Sequence, residues 1–206
     1  PEETLAAYWR LAPSDLLPSM RDTRTLFMSG PYVEYAGHED SPLQLQHPAL
    51  YGPPEMVSTP DRPARGPGVL VQDVGQGRLA HLPWDAPALY YEHSNLALRR
   101  LLVDLVDGLL PGGRQLQTDV HPLVETVLMK QPSRDRTLLH LLNQSGRLGA
   151  SASQALPMEA FEVSVAGRFE RAHSRALGQH IPLVVKSEGV SFQLPRLEEY
   201  DVIVLE

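Results

Sequence analysis

The apolar residues of the first half of the chain change their spacing after residue 85. Two short apolar runs, Val69–Val74 and Arg78–Leu82, are separated by the tight turn Gly75-Gln76-Gly77. Runs of this kind joined by a short glycine turn are typical of a β-hairpin. The sequence therefore predicts a hairpin that ends just before Pro83-Trp84-Asp85.

An amphipathic helix is predicted after the hairpin. Leucine and valine recur there at the i, i+3, i+4 spacing of one helical face; these residues are Leu98, Leu101, Leu102, Leu105, Val106 and Leu109. Ser94 or Asn95 can cap its start, and Pro111-Gly112-Gly113 ends it. Two strands followed by a helix are the closing portion of an α/β layer domain.

The residues after Gly113 instead favour an all-β structure. About seven short apolar runs are separated by turn residues, which suggests an antiparallel sandwich. The runs are Thr126–Lys130, Arg136–Leu142, Phe161–Val165, Arg171–Leu177, Leu183–Lys186, Val190–Leu194 and Asp201–Leu205. We thus expect an α+β chain, with a partial α/β layer domain at 1–112 and an antiparallel β-sandwich at 113–206.

The segment before the hairpin carries weaker patterns. Leu5–Leu11 predicts a short helix before Pro13, and Asp22–Tyr35 is interpreted as irregular with a strand near Tyr32–Tyr35. Residues 38–67 are rich in proline, which removes backbone donors and prevents a helix or central strand. This passage is either an arm that contacts a partner or a surface loop.

Composition excludes several classes of function. The chain of 206 residues has no cysteine, so disulfides, thiolate metal sites and cysteine nucleophiles are excluded. Its formal charge of −7 argues against nucleic acid as a partner, because a phosphate backbone needs a basic face. Apolar runs are too short for a membrane span. Pro1 is not followed by a signal peptide, so we expect a trimmed, cytoplasmic chain without a membrane partner.

Candidate ligand-binding residues gather after the predicted hairpin. They are Trp84, Asp85, Tyr90, Tyr91 and His93. In α/β folds ligands bind beyond the carboxyl ends of strands, where Asp85 is expected, and a carboxylate with an imidazole could perform acid–base chemistry. The alternative is structural: Asp85 caps the following turn, Trp84 packs at a domain seam and His93 is a surface residue. The pattern leaves both open.

Metal and cofactor sites are not predicted. His38-Glu39-Asp40 and His47 could supply metal ligands, but their spacing matches no compact motif. The glycines of Gly75-Gln76-Gly77 turn a hairpin and open no helix, so no dinucleotide or phosphate loop is expected. His81 is interpreted as a buried histidine within a strand, and His121 and His140 as structural.

Several separated phrases resemble the carboxyl-terminal part of bacterial glycosyl-hydrolase-like proteins. They are GQGRLAHLPWD at 75–85, LYYEH at 89–93, DVHPLVE at 119–125, RTLLHLLN at 136–143 and LPRLEEYDV at 194–202. Those proteins are similar to the β-galactosidases of glycoside hydrolase family 42. The resemblance implies a trimerisation domain related to class I glutamine amidotransferases, followed by a β-sandwich, in a family whose catalytic (β/α)8 barrel comes first.

The resemblance also implies that this chain does not itself perform catalysis. A (β/α)8 barrel needs about 250 residues, so the catalytic acids of the family have no counterpart here. The amidotransferases use a cysteine nucleophile, which this chain lacks. We expect a non-catalytic module that supports a homo-oligomer, either a dimer or a trimer, or an upstream barrel.

Two other functions stay open. Trp84, Tyr90 and Tyr91, with Tyr32 and Tyr35, could form an aromatic platform for a carbohydrate beside Asp85. Asp85 and His93 could alternatively serve a small hydrolase.

Overall fold

The structure, a computed structural model, describes residues 2–38, 40–46 and 66–206. The chain forms two compact units, Pro1–Gly113 and Arg114–Glu206. The elements of the first unit are β1 (Glu2–Leu11), β2 (Thr25–Tyr32), β3 (Leu43–Gln46), β4 (Leu70–Val74), β5 (Gly77–His81), α1 (Ala86–His93) and α2 (Leu96–Leu109). A short 3₁₀ helix, Pro18–Met20, lies between β1 and β2.

Strand β1 is the centre of a three-stranded antiparallel sheet in the order β2-β1-β3. Ala7 and Trp9 are buried on one face of it, whereas Tyr8 and Arg10 are exposed on the other. The helix predicted for Leu5–Leu11 is therefore wrong. In so short a segment the apolar residues fit both the helical and the strand period. Hydrogen bonds to β2 and β3 on its two sides stabilise the strand.

The second strand also differs from the prediction. The segment interpreted as irregular contains β2, which ends at Tyr32, where the predicted strand begins. Leu26 and Met28 point into the core from this strand, at 2% and 0% exposure. Gly30, with φ of +87°, lies near its end.

The predicted hairpin and the long helix are confirmed. Strands β4 and β5 pair antiparallel from Leu70 with His81 to Val74 with Gly77, and Gly75 has a φ of +61° in the turn. Helix α2 begins after Asn95, whose Oδ1 accepts a hydrogen bond from the backbone N–H of Ala97 at 2.8 Å. Local periodicity and capping were sufficient to predict these elements.

The buried face of α2 carries one acid among its leucines. Leu98, Leu101 and Leu105 pack into the core of the first unit. Asp104, 5% exposed, accepts hydrogen bonds from the backbone N–H and the hydroxyl of Ser19 at 2.9 and 2.8 Å. This carboxylate fastens the 3₁₀ helix to α2.

The α/β layer domain predicted for 1–112, with its amidotransferase-like character, is contradicted. Every strand pair described in this unit is antiparallel. An α/β layer needs helices that connect parallel strands, whereas α1 and α2 follow one another after a hairpin. The local order strand–strand–helix was read correctly, but it occurs here in a β-rich unit.

Only part of the proline-rich passage 38–67 lies within the described residues. Glu39 and the stretch 47–65 lie outside them. The far end returns to β3, where the backbone N–H of Leu45 donates to the carbonyl of Gly66 at 2.9 Å, and that of Gly68 to the carbonyl of Leu43 at 2.7 Å.

The second unit consists of strands. They are β6 (Leu116–Thr118), β7 (Val124–Gln131), β8 (Arg136–Asn143), β9 (Arg147–Leu148), β10 (Ser151–Ala152), β11 (Met158–Ala166), β12 (Ala172–Ser174), β13 (Gln179–Ile181), β14 (Val184–Val185), β15 (Gly189–Leu197) and β16 (Tyr200–Leu205). Each of the seven predicted runs overlaps one of these strands. Short strands β6, β9, β10 and β13 were not predicted, because two or three residues carry no readable alternation.

Two antiparallel sheets of this unit share one core, giving a sandwich-like fold. One sheet has the order β14-β15-β11-β6 and the other β13-β12-β16-β8-β7. The core residues alternate along the longer strands of both sheets; they include Leu139, Leu141, Phe161, Val163, Phe192, Leu194, Ile203 and Leu205. Alternation with one face buried is the expected sequence signature of such a sheet.

A buried polar network closes the bend after β12. The Ser174 hydroxyl donates to Asp201 Oδ2, and the other oxygen of this carboxylate accepts from the backbone N–H of Ala176 at 2.9 Å and of Val202 at 2.7 Å. Asp201 is 2% exposed and Ser174 fully buried. The carboxylate can be buried because these donors replace water.

Candidate functional site

The segment Pro83-Trp84-Asp85 is anchored to the end of β2. Tyr32 and Trp84 form an isolated antiparallel bridge, and the backbone N–H of Val33 donates to the carbonyl of Pro83 at 2.8 Å. Two of the five predicted binding residues, Trp84 and Asp85, thus lie between β5 and α1 in the first unit.

The side chain of Trp84 is a core group. It is 5% exposed, and its ring centre lies 5.4 Å from that of Trp9, with an angle of 37° between the planes. Its Nε1–H donates to the carbonyl of Gly68 at 2.8 Å. Since the indole is packed and its only donor is used, the ring offers little surface for a ligand.

Asp85 begins helix α1. One carboxylate oxygen accepts a hydrogen bond from the backbone N–H of Ala88 at 3.0 Å, and the backbone carbonyl accepts from Leu89 at 3.2 Å. This is the arrangement of an N-cap, which satisfies amides that the first turn leaves without partners. The rest of the side chain is exposed to solvent.

The other predicted site residues are distributed around α1. Tyr90 is half-buried and packs against the core of the first unit, whereas Tyr91 is 88% exposed. His93 is the last helical residue and is exposed; its Nε2 lies 3.9 Å from the Glu92 carboxylate, and its ring meets Phe27 edge-on at 6.5 Å. The aromatic residues therefore do not form one platform.

Asp85 and His93 lie at opposite ends of α1. The helix has eight residues, which at 1.5 Å each corresponds to a separation of about 12 Å along the axis. A general acid and base that act together on one bond need a hydrogen-bond-scale approach to the same substrate atoms. The geometry gives no support to a pair formed by these two groups.

A shallow hollow of about 380 Å³ lies beside Trp84 and Asp85. Its lining consists of Pro31, Tyr32, Val33, Leu82, Pro83, Trp84, Asp85 and Pro87. Tyr32 is 7% exposed and its hydroxyl donates to Glu34 Oε1 at 3.4 Å. Tyr35, the fifth aromatic residue of the predicted platform, is 37% exposed and instead contacts His81.

His81 and His121 each have a hydrogen-bond partner of their own. His81, predicted to be buried, is exposed on β5, and its Nε2 lies 3.3 Å from the Tyr35 hydroxyl. His121 Nδ1 accepts from the backbone N–H of Leu123 at 3.2 Å. The described residues contain no group of three histidine, aspartate or glutamate side chains placed to hold a metal ion; Glu39 and His47 lie outside them.

Two surfaces were not recognised from the sequence. One is a hollow of about 810 Å³ beside Tyr8, Arg10 and Arg24, which the helix predicted for Leu5–Leu11 does not anticipate. The other is the outer face of the five-stranded sheet in the second unit. The sequence does carry a signal for this face. Leu138–Leu142 and Val202–Leu205 are apolar at nearly every position, which is typical of strands with two covered faces.

No known protein family and no characterised protein sequence matches the chain. A solved structure does match: the α-L-fucosidase isoenzyme 2 from Paenibacillus thiaminolyticus has a TM-score of 0.75 and 18% sequence identity. The match covers 98% of this chain and 32% of the fucosidase, so this chain spans about a third of that enzyme's length.

A second structure, a cycloisomaltooligosaccharide glucanotransferase from a Paenibacillus species, matches with a TM-score of 0.37, too low to establish a shared fold. Its identity is 14% over 52% of this chain and 20% of that enzyme. The first match alone shows that this chain shares the fold of part of that fucosidase. No described helix is both long and apolar enough to cross a bilayer.

Proposed function

We propose that this chain is a non-catalytic self-association and support module of a glycoside-hydrolase-like protein. The observation that carries the proposal is the match of nearly the whole chain to about a third of a fucosidase. The sequence phrases that resemble the carboxyl-terminal part of bacterial glycosyl-hydrolase-like proteins support the same class of parent protein.

The positions of the candidate residues support a non-catalytic role. Trp84 is packed in a core, Asp85 caps a helix, and His93 lies about 12 Å away at the other end of that helix. Each of these groups thus has a structural role or an isolated position. The reacting groups of the parent protein would then lie in another part of it.

Two measurements on the purified chain test the proposal. We expect no hydrolysis of aryl α-L-fucosides or aryl β-galactosides, and we expect sedimentation velocity to show concentration-dependent association. A strict monomer at the highest attainable concentration would remove self-association from the proposal. Turnover of an aryl glycoside that disappears in both Asp85→Asn and His93→Ala would instead establish the small hydrolase.

Carbohydrate binding is a second candidate, favoured by the hollow beside Trp84. Its lining is mainly proline and other apolar side chains, and the exposed Asp85 carboxylate in the lining could accept hydrogen bonds from sugar hydroxyls. Titration calorimetry with galactosides and fucosides tests it. Absence of heat across the series, or heat that Asp85→Asn leaves unchanged, would exclude this hollow as a sugar site.

A further inference from the structure

The outer faces of the two sheets in the second unit have opposite character. The four-stranded sheet is polar outside: Glu162, Ser164 and Gln193 lie on β11 and β15, with Glu162 paired to Lys186 at 2.8 Å. The five-stranded sheet is apolar outside. Since an antiparallel sheet normally presents polar residues to water, the second arrangement requires an explanation.

The apolar outer face is defined by three rows of cross-strand neighbours on β7, β8, β16, β12 and β13. Strand pairing aligns the rows. They are Glu125–Leu142–Tyr200, Val127–His140–Val202, and Met129–Leu138–Val204–His173–His180.

Side chains of this face are open to solvent in the chain. Val127, Met129, Leu142 and Tyr200 are 43%, 53%, 39% and 47% exposed. His140 Nδ1 and the Tyr200 hydroxyl lie 2.6 Å apart, so that these polar atoms are used within the face. Most of the remaining face is aliphatic and aromatic, and it also includes the Glu125 carboxylate and the His173 and His180 imidazoles.

The area of the face is close to that of a small interface. Strands spaced about 4.8 Å apart and rows about 6.8 Å apart give a patch of roughly 400 Å². Patches of this size on monomers are often functional. Two such faces bury roughly 800 Å² together, close to the ~1,000 Å² of a specific interface, and contacts at their rims add to this area.

The placement of charges at the two ends of the face supports a second copy as the occupant. The chain carries −7, so most surfaces of two copies repel one another. In the three rows Glu125 is the only acid, and Arg136 lies beyond the opposite end of the face on β8. A two-fold contact that runs the facing strands antiparallel brings Glu125 of each copy towards Arg136 of the other.

We infer that two copies of this chain associate face to face through the apolar outer face of the five-stranded sheet. The inference rests on the proposed function and assigns the surface for its self-association. The contact is isologous, because the same mostly apolar face is used by both copies. It removes Val127, Met129, Leu142 and Tyr200 from water, which is the driving force.

A charge-matched pair of variants tests the surface. Val127→Lys/Met129→Lys adds two lysines to the exposed edge strand β7, where lysine is well tolerated. Gln117→Lys/Gln193→Lys adds the same charge to exposed positions on the polar four-stranded sheet. Sedimentation velocity should show a dimer for the wild type and the control. For the first variant the dissociation constant should rise at least about tenfold.

Each sedimentation result has a distinct meaning. If the wild type associates and the two variants do so equally, the surface is wrong and the proposed function stands. If the wild type is a monomer, self-association itself is wrong, and the inference falls with it. The reduced negative charge of both variants favours association in general, so selective loss in the first variant cannot arise from net charge.

Spin labels provide a test that does not depend on lysines. Because the chain has no cysteine, Met129→Cys and Gln193→Cys each give one labelled site per copy. Sheets pack about 10 Å apart, so the inferred dimer places Met129 labels within roughly 25 Å and Gln193 labels beyond roughly 30 Å. Distances in the reverse order would overturn the inference, even if the lysine variant failed to fold.

Discussion

Replacing Trp84 with phenylalanine tests whether this residue is held in the core. The smaller ring keeps part of the packing against Trp9 but loses the Nε1–H that donates to the Gly68 carbonyl at 2.8 Å. A buried carbonyl left without its donor costs about 1–3 kcal/mol. Weakened contact with Trp9 adds a part of the roughly 0.5–1.5 kcal/mol of an aromatic pair.

We therefore expect Trp84→Phe to lower the free energy of unfolding of the first unit by about 2–3 kcal/mol. That is less than the roughly 3–5 kcal/mol typical of truncating a buried aromatic residue to alanine. The chain has two tryptophans, Trp9 and Trp84, and both lie in the first unit. Fluorescence of the remaining Trp9 in a urea titration thus follows the unfolding of that unit alone.

Tyr91→Ala is the control, because Tyr91 is an aromatic residue of the same site that is 88% exposed. Its effect should stay within about 0.5 kcal/mol. The slope of the urea dependence should be unchanged in both variants. A Trp84→Phe effect as small as that of Tyr91→Ala would refute our reasoning, because the indole would then be available to a ligand.

Three further substitutions test other contacts of the fold. Asp85→Ala should destabilise the first unit by about 1 kcal/mol and Asp85→Asn by only a few tenths, since asparagine also caps helices; equal effects in fluorescence-detected urea titrations would argue against the cap. Gly68→Ala places a Cβ 2.6 Å from Trp9 Cε3 and should cost about 1–3 kcal/mol by the same measurement; an unchanged midpoint would contradict this packing. Asp201→Ala should lower the free energy of unfolding by about 3 kcal/mol or more, because the buried Ser174 hydroxyl and two backbone amides lose their hydrogen-bond acceptor. Circular dichroism during urea unfolding measures it, and an effect below about 1 kcal/mol would exclude the network.

The elements that were predicted correctly are those with strong local signals. Helix α2 combines a leucine stripe, an asparagine cap and a proline stop, and the β4–β5 hairpin has its glycine turn. In the second unit, alternation along β11 predicts which side chains are buried, and along β15 it does so except at Ser191, which is also buried. These signals act over a few residues, so the sequence is enough to read them.

The role of Trp84 could not be read in this way. The pattern left both a binding site and a packing role open for it, because its partners, Gly68 and Trp9 on β1, meet it only in the folded chain. Strand β1 was misassigned for a related reason: its period is ambiguous, and only pairing with β2 and β3 selects the strand.

The sequence by itself determined where the chain turns, which segments are strand or helix when their period is clear, and that cysteine chemistry is excluded. The tertiary structure alone decided that the first unit is an antiparallel, β-rich unit, that Asp85 and His93 are held apart, and that one face of the five-stranded sheet is apolar and exposed. The physical reason is that burial depends on what packs against a side chain. The sequence alone does not distinguish an apolar residue that is buried in a core from one that is exposed to water, as Met129 is.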